Sequence, residues 1–296
     1  MGLDINGTRF LLYARKRGVS FEKTATIGRQ SMLVDAAGLE KNLVRSGLNL
    51  ASPQIEEIVT GAGGYAEAFL ELLGARETVS FDASAYENAT CIHDFNDPID
   101  DKFKNRFSTV LDGGTLEHIF NYPQALKNCM EMVQLGGHFL AITPANNYLG
   151  HGFYQFSPEL FFRVFSKANG FSLEQLLIYE ETKNYDWYAV TDPDAVKERV
   201  ILVNEEPSML LVIAKKHAAK ELFAVPPQQS DFLAAWNAHD QGFGRDQRLE
   251  ADPMRLSGLP RLGFGAWKRI QRNVNRFSGM LNRRRNHFKK IDPFDG

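Results

Sequence analysis

FSTVLDGGTLEHIFNYPQALKNCMEMVQLGGHFLAITPANN, residues 107–147, is the stretch that decides the fold. It contains two β-branched and apolar runs, FSTVLD and GGHFLAITP, which are typical of buried strands. The apolar residues between the runs recur at helical spacing, so the sequence predicts a strand, a helix and a second strand. Such a unit implies a parallel pair with a right-handed crossover. Ligands bind beyond the carboxyl ends of such strands, which places a candidate site at residues 112–114 and 144–147.

The same alternation continues on both sides of this stretch. We expect further strands over residues 21–27, 77–81, 89–93, 171–179 and 208–215. Strands that alternate with helices predict an α/β fold with a doubly wound, mostly parallel sheet. The segment between the last two strands, residues 180–207, is polar and is predicted to be an irregular insertion.

The charge of the chain is unevenly distributed. Of its 296 residues 44% are hydrophobic and 24% are charged, which is typical of a globular protein. The formal net charge is −2, which does not indicate a nucleic-acid or membrane partner. However, residues 261–290 contain ten Lys and Arg residues and no Asp or Glu. The sequence therefore predicts an acidic body with a basic C-terminal segment.

Several classes of site and location are not indicated. Cys91 and Cys129 lie in apolar runs, which suggests buried thiols in a reducing compartment. No apolar run is long enough to span a membrane and the N-terminus does not resemble a signal peptide, so we expect a cytoplasmic protein. There is no zinc-like spacing, Gly-x-Ser-x-Gly motif or phosphate-binding loop, so no metal site, hydrolase or kinase is predicted.

Three acids end successive predicted strands. Asp82 and Asp94 each follow a short strand, and Asp112 precedes Gly113 and Gly114. An acid in this position typically accepts hydrogen bonds from ribose hydroxyls, and glycines let a ligand approach the backbone. Each acid alone is equally well explained as a surface acid or a turn residue, but the repetition favours a nucleotide-binding edge.

With these residues in place, the chain resembles the class I S-adenosylmethionine-dependent methyltransferases over roughly residues 20–216. The similar stretches are VSFDAS, CIHDFN, LDGGTLEHIFNYPQALKNCMEMVQLGGHFLAITPANN and FSPELFFRVFSKANGFSL. The resemblance implies a seven-stranded Rossmann-like methyltransferase sheet in residues 1–217. Residues 218–296 would be a linker and a basic amphipathic helical extension.

The resemblance also implies S-adenosylmethionine as the cofactor and assigns site residues. The cofactor-binding residues would be Gly28, Arg29, Gln30, Asp82, Ala83, Asp94, Phe95, Asp112 and Gly113. The substrate-binding residues would be Glu117, Asn146, Asn147 and Tyr154. The sequence departs from the family at ATIGRQSM, where only Gly28 remains of a glycine-rich loop and Arg29 is expected to pair with a carboxylate. The glycines of residues 61–64 are an alternative loop, which we interpret as a connector.

Two histidines are candidate general bases for the acceptor, because imidazole titrates near neutrality. His118 lies beside the presumed cleft, where a packing role in the cleft wall is the simpler interpretation. His151 lies in the glycine- and aromatic-rich loop 150–155, which suits either a substrate wall or an aromatic plug over the sheet.

Two functions are therefore expected from the sequence. The first is methyl transfer from S-adenosylmethionine to an oxygen or nitrogen of a small molecule or glycan precursor. The second is a non-catalytic scaffold protein that has lost the cofactor and binds through its basic helix. That helix, residues 266–290, would contact an anionic surface or a second copy of the chain, or would pack on the acidic body.

Overall fold

The computed structural model describes residues 2–181, 186–196, 199–233, 236 and 287–294. Within these residues the strands are β1 (Gly2–Leu3), β2 (Lys23–Ile27), β3 (Ser31–Met32), β4 (Glu77–Asp82), β5 (Cys91–Ile92), β6 (Phe107–Asp112), β7 (Val133–Pro144), β8 (Phe171–Glu180), β9 (Trp187–Val190), β10 (Ser208–Lys216) and β11 (Phe288–Ile291). The helices are α1 (Ile5–Lys16), α2 (Ala36–Arg45), α3 (Ser52–Thr60), α4 (Glu67–Leu72), α5 (Tyr122–Met132), α6 (Pro158–Val164) and α7 (Pro193–Val196). None of these helices has the length and apolar character needed to cross a membrane.

The large sheet has the order β11-β9-β8-β10-β7-β6-β2-β4-β5. Strands β5, β4, β2, β6 and β7 are parallel neighbours. Strand β10 lies antiparallel between β7 and β8. The predicted mostly parallel, Rossmann-like α/β sheet is confirmed. Within the described residues the sheet has nine strands, two more than the seven predicted.

Residues 107–147 fold as predicted, because helices pack on both faces of the strands β6 and β7. All six residues of β6 are buried. Val110 belongs to the core on the face of α5 and α6, and Leu111 belongs to the core on the face of α1 to α4. This double coverage explains why the strand reads as a continuous apolar run and not as an alternating one. The sheet is therefore doubly wound, as expected.

Two strands of the sheet, β9 and β11, were not predicted from the sequence. Strand β9 lies in the segment predicted to be irregular, and pairs with β8. Strand β11 begins within the predicted basic helix, so the helix prediction is wrong at residues 288–290. The rest of that helix lies outside the described residues. The division of the chain at residue 217 stays a proposal, although β11, from the predicted extension, belongs to the sheet.

A buried lysine fixes the end of α5 against β10. The Lys216 Nζ donates to the carbonyl oxygens of Met130 (3.0 Å) and Val133 (2.8 Å) and to the Asn105 side chain (2.8 Å). Burial lowers the pKa of Lys216 to about 8. Its ammonium group thus satisfies carbonyls that a helix end leaves without intrahelical donors.

Replacing Lys216 with methionine should lower the free energy of unfolding by about 1–2 kcal/mol, because buried carbonyls lose their donor. Urea denaturation measures the change. Lys215→Met is the matched control, since Lys215 is the preceding residue of β10 and is partly exposed. Equal stabilities of the two variants would contradict the assigned role.

Candidate functional site

A pocket of about 340 Å³ opens at the carboxyl edge of the parallel strands. It lies at the end of β2, between β4 on one side and β6 on the other. From β2 the chain first adds strands on the β4 side of the sheet and then adds β6 on the opposite side, so the direction of strand addition reverses at this point. Such reversal points are the usual ligand-binding positions of open α/β sheets. The lining residues are Ile27, Phe81, Asp82, Ala83, His93, Asp94, Phe95, Asn96, Thr115, His118 and Ile119.

The two strand-end acids that line the pocket have different surroundings. The Asp82 Oδ1 accepts from the Ser84 backbone N–H at 3.1 Å. Asp94 is exposed and accepts from the backbone and the side-chain amide of Asn96, which lowers the pKa of Asp94. Both carboxylates therefore lie in the same pocket, as a nucleoside-binding edge requires.

The turn after β2 does not form an open glycine loop. Arg29 already pairs with a carboxylate of the chain itself, Glu67, at 2.7 Å. Its guanidinium also lies 3.9 Å from the Tyr65 ring centroid. Gln30 is 2% exposed, and its amide donates to the Ile27 and Gly28 carbonyls at 2.8 and 3.2 Å. Neither side chain lines the pocket, which differs from the cofactor-binding roles expected for Arg29 and Gln30.

The glycine after β6 makes room for Gln30. A Cβ at Gly113 would lie 2.1 Å from the Gln30 Oε1, so the space expected for a ligand is filled by that side chain. Asp112 is buried and accepts from the backbone N–H groups of Thr115 and Leu116. It therefore caps the turn that follows β6, and neither Asp112 nor Gly113 lines the pocket.

Three predicted substrate-binding residues hold the loops together. The side-chain amide of Asn147 donates to the carbonyls of Asn204 and Glu206, at 3.1 and 2.9 Å. Asn146 donates to the Asn204 side chain, and the Tyr154 hydroxyl donates to the Phe120 carbonyl at 2.6 Å.

Asn146 also lines a second pocket, of about 400 Å³. Its lining residues are Ala145, Asn146, Gln155, Phe156, Ser157, Pro158, Ile178, Val200, Leu202 and Phe288. The loop after β7 and the segment before β10 thus form a common pocket wall.

Glu117, His118 and His151 form a cluster beside the first pocket. Their ligand-capable atoms all lie within 4.8 Å of one another. The His151 Nε2 is 3.5 Å from the Glu117 Oε1, and the two imidazole rings are 4.9 Å apart. Burial, reinforced by the charge of Asp112, raises the pKa of Glu117. Partial burial, reinforced by His151, lowers the pKa of His118, so this imidazole is neutral near pH 7.

A glycine brings His151 to this cluster. The loop 148–154 lies on the Glu117 backbone, whose carbonyl accepts from the N–H groups of Phe153 (2.7 Å) and Tyr154 (3.3 Å). Gly152 has φ +68°, and a Cβ there would lie 2.8 Å from the Glu117 carbonyl oxygen. The close approach requires a residue without a side chain at this position. The two predicted general bases are thus neighbours.

Sequence reasoning missed several pocket residues. Thr115 and Ile119 belong to the turn after the 112–114 motif, and His93 and Asn96 flank Asp94 and Phe95. These residues are close in sequence to the strand-end acids Asp94 and Asp112, and this proximity could have identified them as candidates. No comparable signal pointed to Glu117 and His151 as partners, because they come from separate loops.

No protein-family model and no curated protein matched the sequence. Among solved structures, an N1-methyltransferase for 1,6-didemethyltoxoflavin from Burkholderia thailandensis is similar, with 14% identity, TM-score 0.39, and coverage of 72% of this chain and 78% of that one. The N-methyltransferase NodS from Bradyrhizobium japonicum has 10% identity, TM-score 0.37, and coverage of 70% and 84%. A branched-chain polyamine synthase from Thermus thermophilus has 13% identity, TM-score 0.35, and coverage of 74% and 58%. At these values the likenesses do not assign a function, and the order and direction of the strands establish the Rossmann-like fold.

Proposed function

We propose that the protein is a methyltransferase that uses S-adenosylmethionine and methylates an oxygen or nitrogen of a small molecule or glycan precursor. The observation that carries this proposal is the pocket at the reversal point of the sheet. It combines two strand-end acids, Asp82 and Asp94, with apolar surface from Ile27 and Phe95 and with His118 on one side.

The adenosyl part of the cofactor fits these residues. Asp82, at the end of β4, would accept from the ribose hydroxyls, and Asp94 with Phe95 would contact the adenine. Bound in this way, the cofactor supplies an electrophilic methyl group. The part of the chain next to it must hold an acceptor atom in line with that group, because positioning provides most of the rate.

The acceptor atom loses a proton when it is methylated, and the His118–His151 pair is placed to handle this proton. His151 is about half exposed and close to Glu117, so the ring can reach both the protein interior and a bound acceptor. Burial lowers the pKa of His118, so this imidazole can accept a proton as a general base.

Titration calorimetry with S-adenosylmethionine and S-adenosylhomocysteine tests the proposal. Asp82→Asn should weaken S-adenosylhomocysteine binding about tenfold, because a charge-assisted hydrogen bond to the ribose becomes a neutral one. Asp97→Asn is the matched control, since Asp97 is exposed and does not line the pocket. If neither compound binds at millimolar concentration, the proposal is overturned.

The turn at Arg29 and Gln30 supports the second candidate, a binding protein on the same fold without cofactor chemistry. The Gln30 side chain fills the space above Gly113, and Arg29 is paired with Glu67. Mass spectrometry of the purified protein distinguishes the two functions. A co-purified adenosyl compound favours the enzyme, whereas absence of such a compound together with absence of binding in calorimetry favours the scaffold.

A further inference from the structure

We propose that Glu117, His118 and His151 bind a divalent transition-metal ion, with Zn²⁺ as the best-fitting example. The three residues come from the turn after β6 and from the loop after β7, and their ligand-capable atoms lie within 4.8 Å of one another. Tetrahedral coordination at bond lengths of about 2.1 Å separates ligand atoms by about 3.4 Å. The cluster is therefore near to a coordinating arrangement, and the exposed His rings can rotate to complete it.

The buried carboxylate of Glu117 is the strongest indication of a cation-binding site. The Glu117 side chain is completely buried. Among the described residues, neither of its oxygens has a hydrogen-bond donor. A buried carboxylate without partners is costly, and proteins normally supply it with a cation or hydrogen bonds. The nearest ring nitrogen, His151 Nε2 at 3.5 Å from the Glu117 Oε1, is at a distance that a shared metal ion would bridge.

The backbone holds these groups in position before any ion binds. The loop that carries His151 is fixed to the Glu117 carbonyl by the N–H groups of Phe153 and Tyr154. The Tyr154 hydroxyl adds a hydrogen bond to the Phe120 carbonyl. A Cβ at Gly152 would touch the Glu117 backbone, so the contact depends on that glycine. Such preorganisation lowers the entropic cost of binding an ion.

The ligand set selects the type of metal. Two imidazoles and one carboxylate suit Zn²⁺ and neighbouring transition metals, whereas Mg²⁺ and Ca²⁺ prefer ligand sets made only of oxygen. Three protein ligands leave at least one coordination position open, as in catalytic zinc sites. In a methyltransferase this position would bind the acceptor oxygen or nitrogen and favour release of its proton to solvent. The metal ion would then replace the general-base role of His118 and His151, because a ring nitrogen that coordinates the ion cannot accept a proton. This role, unlike the metal site itself, rests on the proposed function.

Metal binding is tested on the full-length chain after treatment with a chelator. Calorimetry with Zn²⁺ should show one saturable site per chain at the cluster. Co²⁺ should give a visible absorption spectrum that Zn²⁺ abolishes. Glu117→Gln and His151→Ala should each weaken Zn²⁺ binding by at least about tenfold. Mg²⁺ should not compete.

His93→Ala and His217→Ala are the controls. His93 lines the neighbouring pocket and His217 pairs with Ser172, and neither belongs to the cluster. Both variants should bind Zn²⁺ like the original chain. His151 lies on an exposed loop, so its replacement leaves the core intact and keeps the test valid if Glu117→Gln fails to fold.

The metal site is overturned if Zn²⁺ does not bind, or if His151→Ala binds Zn²⁺ as tightly as the original chain. S-adenosylhomocysteine binding is measured on the same samples. Retained nucleoside binding without Zn²⁺ binding rejects the metal site alone, and Zn²⁺ binding without nucleoside binding rejects the proposed function alone.

Discussion

Replacement of Trp187 by alanine is expected to lower the free energy of unfolding by about 3–5 kcal/mol, the usual cost of removing a large buried aromatic side chain. Trp187 is completely buried in β9. Its ring makes edge contacts with Phe10 and Tyr13 of α1, with centroids 6.4 and 5.9 Å away. The Arg9 guanidinium lies 4.4 Å from the ring centroid. The side chain therefore ties an added edge of the sheet to the first helix.

Chemical denaturation measures this loss, and a second tryptophan supplies the control. Trp236 is 51% exposed, so Trp236→Ala should change stability by no more than about 0.5 kcal/mol. Trp187→Phe should recover part of the loss because an aromatic ring remains. If Trp187→Ala is as stable as Trp236→Ala, the packing between β9 and α1 does not contribute as the structure indicates.

Trp187 also shows where sequence reasoning succeeds and where it fails. Strands β6 and β7 could be predicted, because their burial on both faces leaves long apolar runs in the sequence. Strand β9 has four residues and polar neighbours, so it carries no such pattern. Its burial depends on Phe10 and Tyr13, which lie far away in the chain. Packing of this kind is decided by tertiary structure and cannot be read from local composition.

The same distinction applies to the candidate site. The positions of Asp82 and Asp94 could be predicted, because parallel strands end at one edge. The partners of the other side chains could not be predicted, because they depend on which loops contact each other in the folded chain. Arg29 was expected to pair with a carboxylate, and the carboxylate belongs to Glu67 of the same chain. Asn147 was expected to bind substrate, and its amide holds the Asn204 and Glu206 backbone.

Gly152→Ala is expected to detach the 148–154 loop from Glu117 and to lower the free energy of unfolding by about 2–4 kcal/mol. The new methyl group would lie 2.8 Å from the Glu117 carbonyl oxygen, in a backbone conformation with φ +68° that alanine rarely adopts. The hydrogen bonds from Phe153 and Tyr154 to that carbonyl would be lost. Backbone strain and two hydrogen bonds account for the expected magnitude. Urea denaturation measures it.

Gly150→Ala separates this effect from a general sensitivity of the loop. Gly150 belongs to the same loop, but a Cβ there meets nothing within 4 Å. It should leave both the stability and the Zn²⁺ affinity unchanged, whereas Gly152→Ala should weaken Zn²⁺ binding at least about tenfold by moving His151 away. Binding of S-adenosylhomocysteine should stay within about twofold for both variants, because the acids Asp82 and Asp94 lie on other loops. Equal behaviour of the two glycine variants would mean that the contact with Glu117 does not position His151, and would remove the structural basis for a site shared by these two residues.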